Sequence, residues 1–136
     1  MIPVYQSKLG KGGDCFRACV ASLMEKRLDD VPDFMNMFLE DEFADRCYLA
    51  FAEWLKPMGF AHILLQPSFG ELEGSFMKRN IDLTGALCIA NGRSPRGSFH
   101  SVVYGGGVVL HDPVKGGGGI LSVESMVIVF PIDPLK

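Results

Sequence analysis

Phe99-His100-Ser101-Val102-Val103-Tyr104-Gly105-Gly106-Gly107-Val108-Val109-Leu110-His111-Asp112-Pro113 is the stretch on which the fold turns. Two apolar, β-branched runs flank three glycines, the pattern of a hairpin. With Gly105-Gly106-Gly107 as a three-residue loop, pairing is symmetric about Gly106 and His100 faces Asp112. Residues opposed on one face hold their Cβ atoms about 5 Å apart. At that reach a carboxylate accepts the imidazole N–H and fixes its tautomer. His111, one residue away, points to the other face. The reading depends on register: a two-residue loop at Gly105-Gly106 sets His100 against His111 and turns Asp112 to the wrong face.

Outward from the hairpin, the apolar runs 86–90 and 126–130 and the segment His62-Ile63-Leu64-Leu65 read as further strands. Apolar residues on both strand faces imply a sheet covered on at least one side by the helices. Two helices precede most of these strands. One starts at Cys15 behind the N-cap candidate Asp14 and runs to about residue 26, with Ala18, Cys19, Ser22 and Leu23 at helical spacing. The other spans about 39 to 56, with Phe43, Cys47, Ala50, Phe51 and Trp54 on one face, and Pro57 and Gly59 end it. Helices first and strands later is an α+β pattern. The stretch 66–83 carries no clear period.

The 136 residues are expected to form a single domain, 1–136, with no internal repeat. A net charge of -3 argues against a nucleic-acid partner. No apolar run reaches the length of a membrane span, and the start of the chain lacks signal-peptide character, so a cytoplasmic protein is expected. In a reducing compartment the four cysteines stay unpaired, and Cys19, Cys47 and Cys88 read as small core residues.

Cys15 differs, because glycines precede it and a helix follows. A helix N-terminus and a neighbouring imidazolium both favour the thiolate, which is the nucleophilic form. Cys15, His100 and Asp112 therefore supply a thiol, a base and a carboxylate that orients the base. The Cys15 N–H and the Gln6 side-chain amide are candidate donors to an oxyanion. Arg93 and Arg96, in the segment leading into His100, and Asp14 are candidate substrate-binding residues. Lys115-Gly116-Gly117-Gly118-Gly119 reads either as a flap over the site or as a plain connector. Two cysteines four residues apart match no usual ligand spacing, so no metal is expected, and nothing calls for a cofactor.

Gln6, the Gly-Asp-Cys15 helix start with Ala18 and Ala21-Ser22-Leu23, and the hairpin from His100 to Asp112-Pro113 resemble the papain-like cysteine peptidases. The nearest branch is the compact bacterial one that includes the leader-cleaving peptidase domains of bacteriocin exporters. The resemblance covers roughly residues 6–24 and 86–131. It implies a nucleophile-bearing helix packed on an antiparallel sheet that bears the base, with Cys15 as nucleophile, His100 as general base, Asp112 as its orienter and Gln6 as oxyanion donor. The gap from Gln6 to Cys15 is longer and richer in glycine than is usual there. No transporter segment or propeptide is expected beside the domain, so a leader-peptide substrate is not carried over.

The expected activity is hydrolysis of a peptide, a protein side-chain amide or a small amide through a thioester. A transferase using the same triad, or a non-catalytic protein that captures a ligand in the cleft, remains open.

Overall fold

Small residues decide how the first helix docks. Helix α1 (Cys15–Met24) turns Ala18, Cys19, Ala21 and Ser22 inward, each fully buried, so its backbone approaches the sheet closely. It stops two residues short of the expected end because Glu25 adopts a left-handed conformation (φ 55°). Helix α2 (Phe43–Leu55) buries Cys47, Phe51 and Leu55 one turn apart, the stripe that its period dictates. The computed structural model describes residues 1–10, 12–37, 43–66 and 87–133, with the side chains of 43–45 excepted. The first positions expected in α2, and nearly all of the stretch without a period, lie outside the described residues.

Five strands follow among the described residues: β1 (Phe60–Leu65), β2 (Leu87–Arg93), β3 (Phe99–Gly105), β4 (Val108–His111) and β5 (Ser125–Pro131). All neighbours are antiparallel, in the order β1-β5-β2-β3-β4. Among the described residues, two α-helices and one antiparallel sheet make this an α+β fold.

Alternation along the strands gives the sheet two faces. Ile89, Val103 and Val127 lie on one and pack with Phe16, Val20, Phe34 and Phe51 beneath the helices. Each fully buried phenylalanine or isoleucine contributes about 1.5–3 kcal/mol by leaving water. Cys88, Ala90, Val102 and Met126 lie on the other face, covered by Val123 and Ile120 from the segment between β4 and β5. No helix among the described residues is long and apolar enough to cross a membrane.

The hairpin departs from the expected register. Gly105 pairs with Val108 and Tyr104 with Val109, so the loop is the two residues Gly106-Gly107. Their φ values of 58° and 84° are the left-handed pair such a tight turn requires. The ladder then slips, and Val103 pairs with His111, leaving Leu110 as a bulge.

Candidate active site

Cys15 is the first residue of α1, which packs on β3 and β2. Its thiol sits beside His100 and Ser101, adjacent residues whose side chains leave β3 toward opposite faces. Burial alone pushes the thiol up. Hydrogen bonding and charge from His100, with the N–H and hydroxyl of Ser101, outweigh it and bring the Cys15 thiol below its ordinary value. The other three cysteines go the opposite way. Burial raises Cys47 and lifts Cys88 to about 11, and burial with the charges of Cys15 and Asp112 raises Cys19. All four are free thiols.

His100 is 2% exposed, and its Nε2 lies 2.7 Å from Asp112 Oδ1. That leaves Nδ1 as the ring nitrogen for the thiol. Burial disfavours the imidazolium, but the hydrogen bonds and charges of Cys15 and Asp112 prevail and raise the His100 pKa. Both shifts, the thiol lowered and the imidazole raised, run in the direction that favours a thiolate–imidazolium pair.

His100 and Asp112 meet, but not as the register partners expected. The ladder set by the glycine turn, continued without a slip, would carry Asp112 opposite Ser101 and onto the helix face. The bulge advances it one step, opposite Val102, and so onto the face of His100. His111 lies on the other face, where its Nε2 is 2.7 Å from Val4 O and its ring meets Tyr5 edge-on at 5.0 Å.

Asp112 is held from three sides. Oδ1 also accepts from Val114 N and Oδ2 from Gly119 N, each at 2.8 Å. Burial pushes this carboxyl up, but the His100 bond and the two N–H bonds hold it below the usual range. The glycine-rich segment after Asp112 is thus neither a flap nor a plain connector. It folds back on the carboxylate, and Leu121 N and Glu124 N then bond Arg93 O and Asn91 O at 2.8 Å to run along β2.

Three expected substrate-binding residues have other partners. Asp14 is 1% exposed, and its carboxylate accepts from Ser7 N and Lys8 N at 2.8 Å and from the Ser7 hydroxyl at 2.6 Å. It therefore makes no side-chain cap on α1 and fixes the loop before it, while the residue also lines the cavity over Cys15. Arg93 Nη1 donates to Gly97 O at 3.2 Å, and Arg96 Nη1 donates to Gly117 O. Neither arginine lines the cavity beside Cys15. Gln6 is anchored through its N–H to Pro113 O at 3.1 Å, next to Asp112. Its Nε2 donates to Lys8 O at 2.6 Å, one N–H remains, and Oε1 is buried without a partner.

A cavity of about 540 Å³ opens over Cys15. Gly10, Gly12 and Gly13 form one rim, while Phe16, Met35, Tyr48 and Phe99 supply apolar wall. Asn91 and Ser101 line it as well, and both are nearly fully buried. The chain matches no family model, no curated protein and no solved structure.

Sequence reasoning missed the row Ser125–Asn91–Ser101. These residues are register neighbours on β5, β2 and β3. Ser101 Oγ donates to Asn91 Oδ1 at 2.6 Å, and Asn91 Nδ2 donates to Ser125 Oγ at 3.0 Å. The available signal was Ser101 itself, a hydroxyl adjoining His100 in an otherwise apolar strand.

Proposed function

We propose that this chain is a cysteine-nucleophile hydrolase of papain-like type that cleaves an amide bond through a thioester. The single observation that carries the reading is the continuous contact from Cys15 through His100 to Asp112, with a 2.7 Å bond at its far end.

The Cys15 thiolate attacks the carbonyl carbon, and the oxyanion that forms is met by the Cys15 N–H and the free N–H of Gln6. As the tetrahedral species collapses, the C–N bond breaks and His100 Nδ1 gives its proton to the departing amine. His100, now neutral, takes a proton from water, and the hydroxide attacks the thioester. The acid leaves with its new C–O bond, and the thiolate–imidazolium pair is restored. Asp112 holds the imidazole orientation throughout. The substrate is a peptide, a protein side-chain amide or a small amide whose apolar part fills the cavity walled by Phe16, Met35, Tyr48 and Phe99.

The deciding experiment is iodoacetamide labelling of the native protein against pH, read residue by residue by mass spectrometry, in the parent and in His100→Ala. Expected is rapid labelling of Cys15 alone well below the free-thiol pKa, slowed by the substitution. Labelling only near the free-thiol pKa, indifferent to His100→Ala, would leave a ligand-capturing cleft as the better reading.

A further inference from the structure

Arg96 belongs to the turn between β2 and β3 and is exposed, yet its guanidinium is committed to the backbone of a distant segment through Gly117 O. Gly117 is buried against Asp112. A β-carbon built on it would lie 2.7 Å from Asp112 Oδ2, 2.8 Å from Arg96 Nη1 and 3.0 Å from Val114 Cβ. Carboxylate, glycine and guanidinium are thus layered with no room for a side chain between them. Two residues further on, Gly119 N donates to the same Oδ2. On either side of Gly117, Gly116 and Gly118 take φ of 65° and 79°, conformations that cost a side-chain-bearing residue strain. The segment 114–119 has no regular secondary structure, and the bonds that shape it are the Gly117 N to Val114 O turn at 3.0 Å, the two N–H bonds to Asp112 and the Arg96 latch.

Glycine-rich backbone has the largest conformational freedom to lose on ordering. A loop of four glycines presents an N–H to a carboxylate in one fixed place only if something pins its middle. Arg96 pins it, from a turn whose Ser94 N and Gly97 N are themselves bonded at 2.8 Å and 2.9 Å. An arginine suits this task because its fork remains charged at every working pH and donates along fixed directions.

We infer that Arg96 is a positioning residue for the proposed triad: it holds Gly117, so that Gly119 N and Val114 N fix the Asp112 carboxylate and, through it, the His100 ring. The inference rests on the reading of Cys15, His100 and Asp112 given above. Arg96 lies apart from the cavity over Cys15 and acts on the chemistry only through Asp112.

The test compares the parent with Arg96→Ala, Arg96→Lys, Asp112→Ala and Arg96→Ala/Asp112→Ala in two readouts. One is the pH profile of Cys15 alkylation, and the other is the His100 titration followed by NMR of its ring. Arg96→Ala is expected to slow low-pH alkylation by about 2- to 10-fold, the ratio that corresponds to the net worth of one hydrogen bond. It is also expected to move the His100 titration to lower pH. Arg96→Lys, which can still donate to Gly117 O, should recover most of both. In the double variant the loss should equal that of Asp112→Ala alone, because Arg96 has nothing left to position. Because Arg96 is exposed, unfolding does not confound the result, and an unchanged thermal midpoint checks this.

Parental profiles in Arg96→Ala, with rapid low-pH labelling intact in the parent, overturn the Arg96 role and leave the triad standing. A further loss on adding Arg96→Ala to Asp112→Ala also overturns it, since the effect then bypasses Asp112. A parent whose Cys15 labels only as a free thiol sinks the triad and this inference together.

Discussion

His100 Nε2 lies 2.7 Å from Asp112 Oδ1 although the two residues are not cross-strand partners. The bulge at Leu110 creates the relationship by turning Asp112 to the face that His100 occupies. It is also what couples the thiol of one helix to the carboxylate beyond the sheet's last strand.

The two roles of Asp112, orientation and charge, separate by substitution. Asp112→Ala removes both and is expected to lower turnover by about 10²-fold or more, the scale of a lost acid–base partner. Asp112→Asn keeps an oxygen for Nε2 and should fall between the parent and Asp112→Ala. Hydrolysis rates of an activated ester across the three proteins give the order, and equal loss in both variants would assign the whole effect to charge.

Deleting Leu110 removes the bulge but keeps His111 against Val103 and Asp112 on the face of His100. Low-pH labelling of Cys15 is therefore expected to persist in the deletion. Abolished labelling in a folded deletion would mean that the kink itself, and not the phase of the strand, places the carboxylate.

The N–H and hydroxyl of Ser101 lie against the Cys15 thiol, and the hydroxyl divides its one proton between the thiolate and Asn91 Oδ1. Ser101→Ala keeps the N–H and loses the hydroxyl, so the thiol should titrate at higher pH and label more slowly at neutral pH. Thiolate absorbance at 240 nm against pH measures this, with Cys15→Ser as the blank. A midpoint equal to the parent's would leave the hydroxyl bound to Asn91 alone.

Gln6 should matter only where an oxyanion forms. Gln6→Ala is expected to slow acylation by p-nitrophenyl acetate by about 10²-fold, as for loss of one oxyanion donor. Alkylation by iodoacetamide builds no oxyanion and should stay at the parental rate. Equal slowing of both reactions would make Gln6 a support of the loop only.

Acid stability follows from Asp14 and Asp112. Burial pushes the Asp14 carboxyl up, but bonds from Ser7 and Lys8 prevail and leave it lowered, as Asp112 is. A carboxyl lowered in the folded state adds stability above its unfolded pKa of about 3.9 and loses it as pH falls through the folded value. Asp14→Ala should cost about 2–4 kcal/mol at neutral pH, because the Ser7 and Lys8 N–H groups lose their acceptor. Its unfolding midpoint should also fall less steeply than the parent's below about pH 4. Urea titrations at pH 7 and pH 3 check both, and parallel slopes would remove Asp14 from the acid transition.

Much of the molecule was legible in the chain. The small-residue face of α1, the apolar stripe of α2 and the β-branched runs fixed which segments are helix and which are strand, because period and side-chain shape act locally. The Gly-Gly-Asp-Cys start put Cys15 at a helix N-terminus for the same reason. Local pattern could not choose the register of the hairpin, since three consecutive glycines accept several turns. That choice is made at long range, where Val4 O takes His111 and Pro113 O takes the N–H of Gln6. The same holds for Asp14, Arg93 and Arg96. Sequence shows that they are charged and near the nucleophile or the base, but burial and nearby backbone N–H and carbonyl groups decide whether such a group meets substrate or holds a loop. Residue type and spacing thus determined the elements and the candidate nucleophile and base, whereas the contact that joins base to carboxylate exists only once strand register, bulge and the folded-back loop are set together.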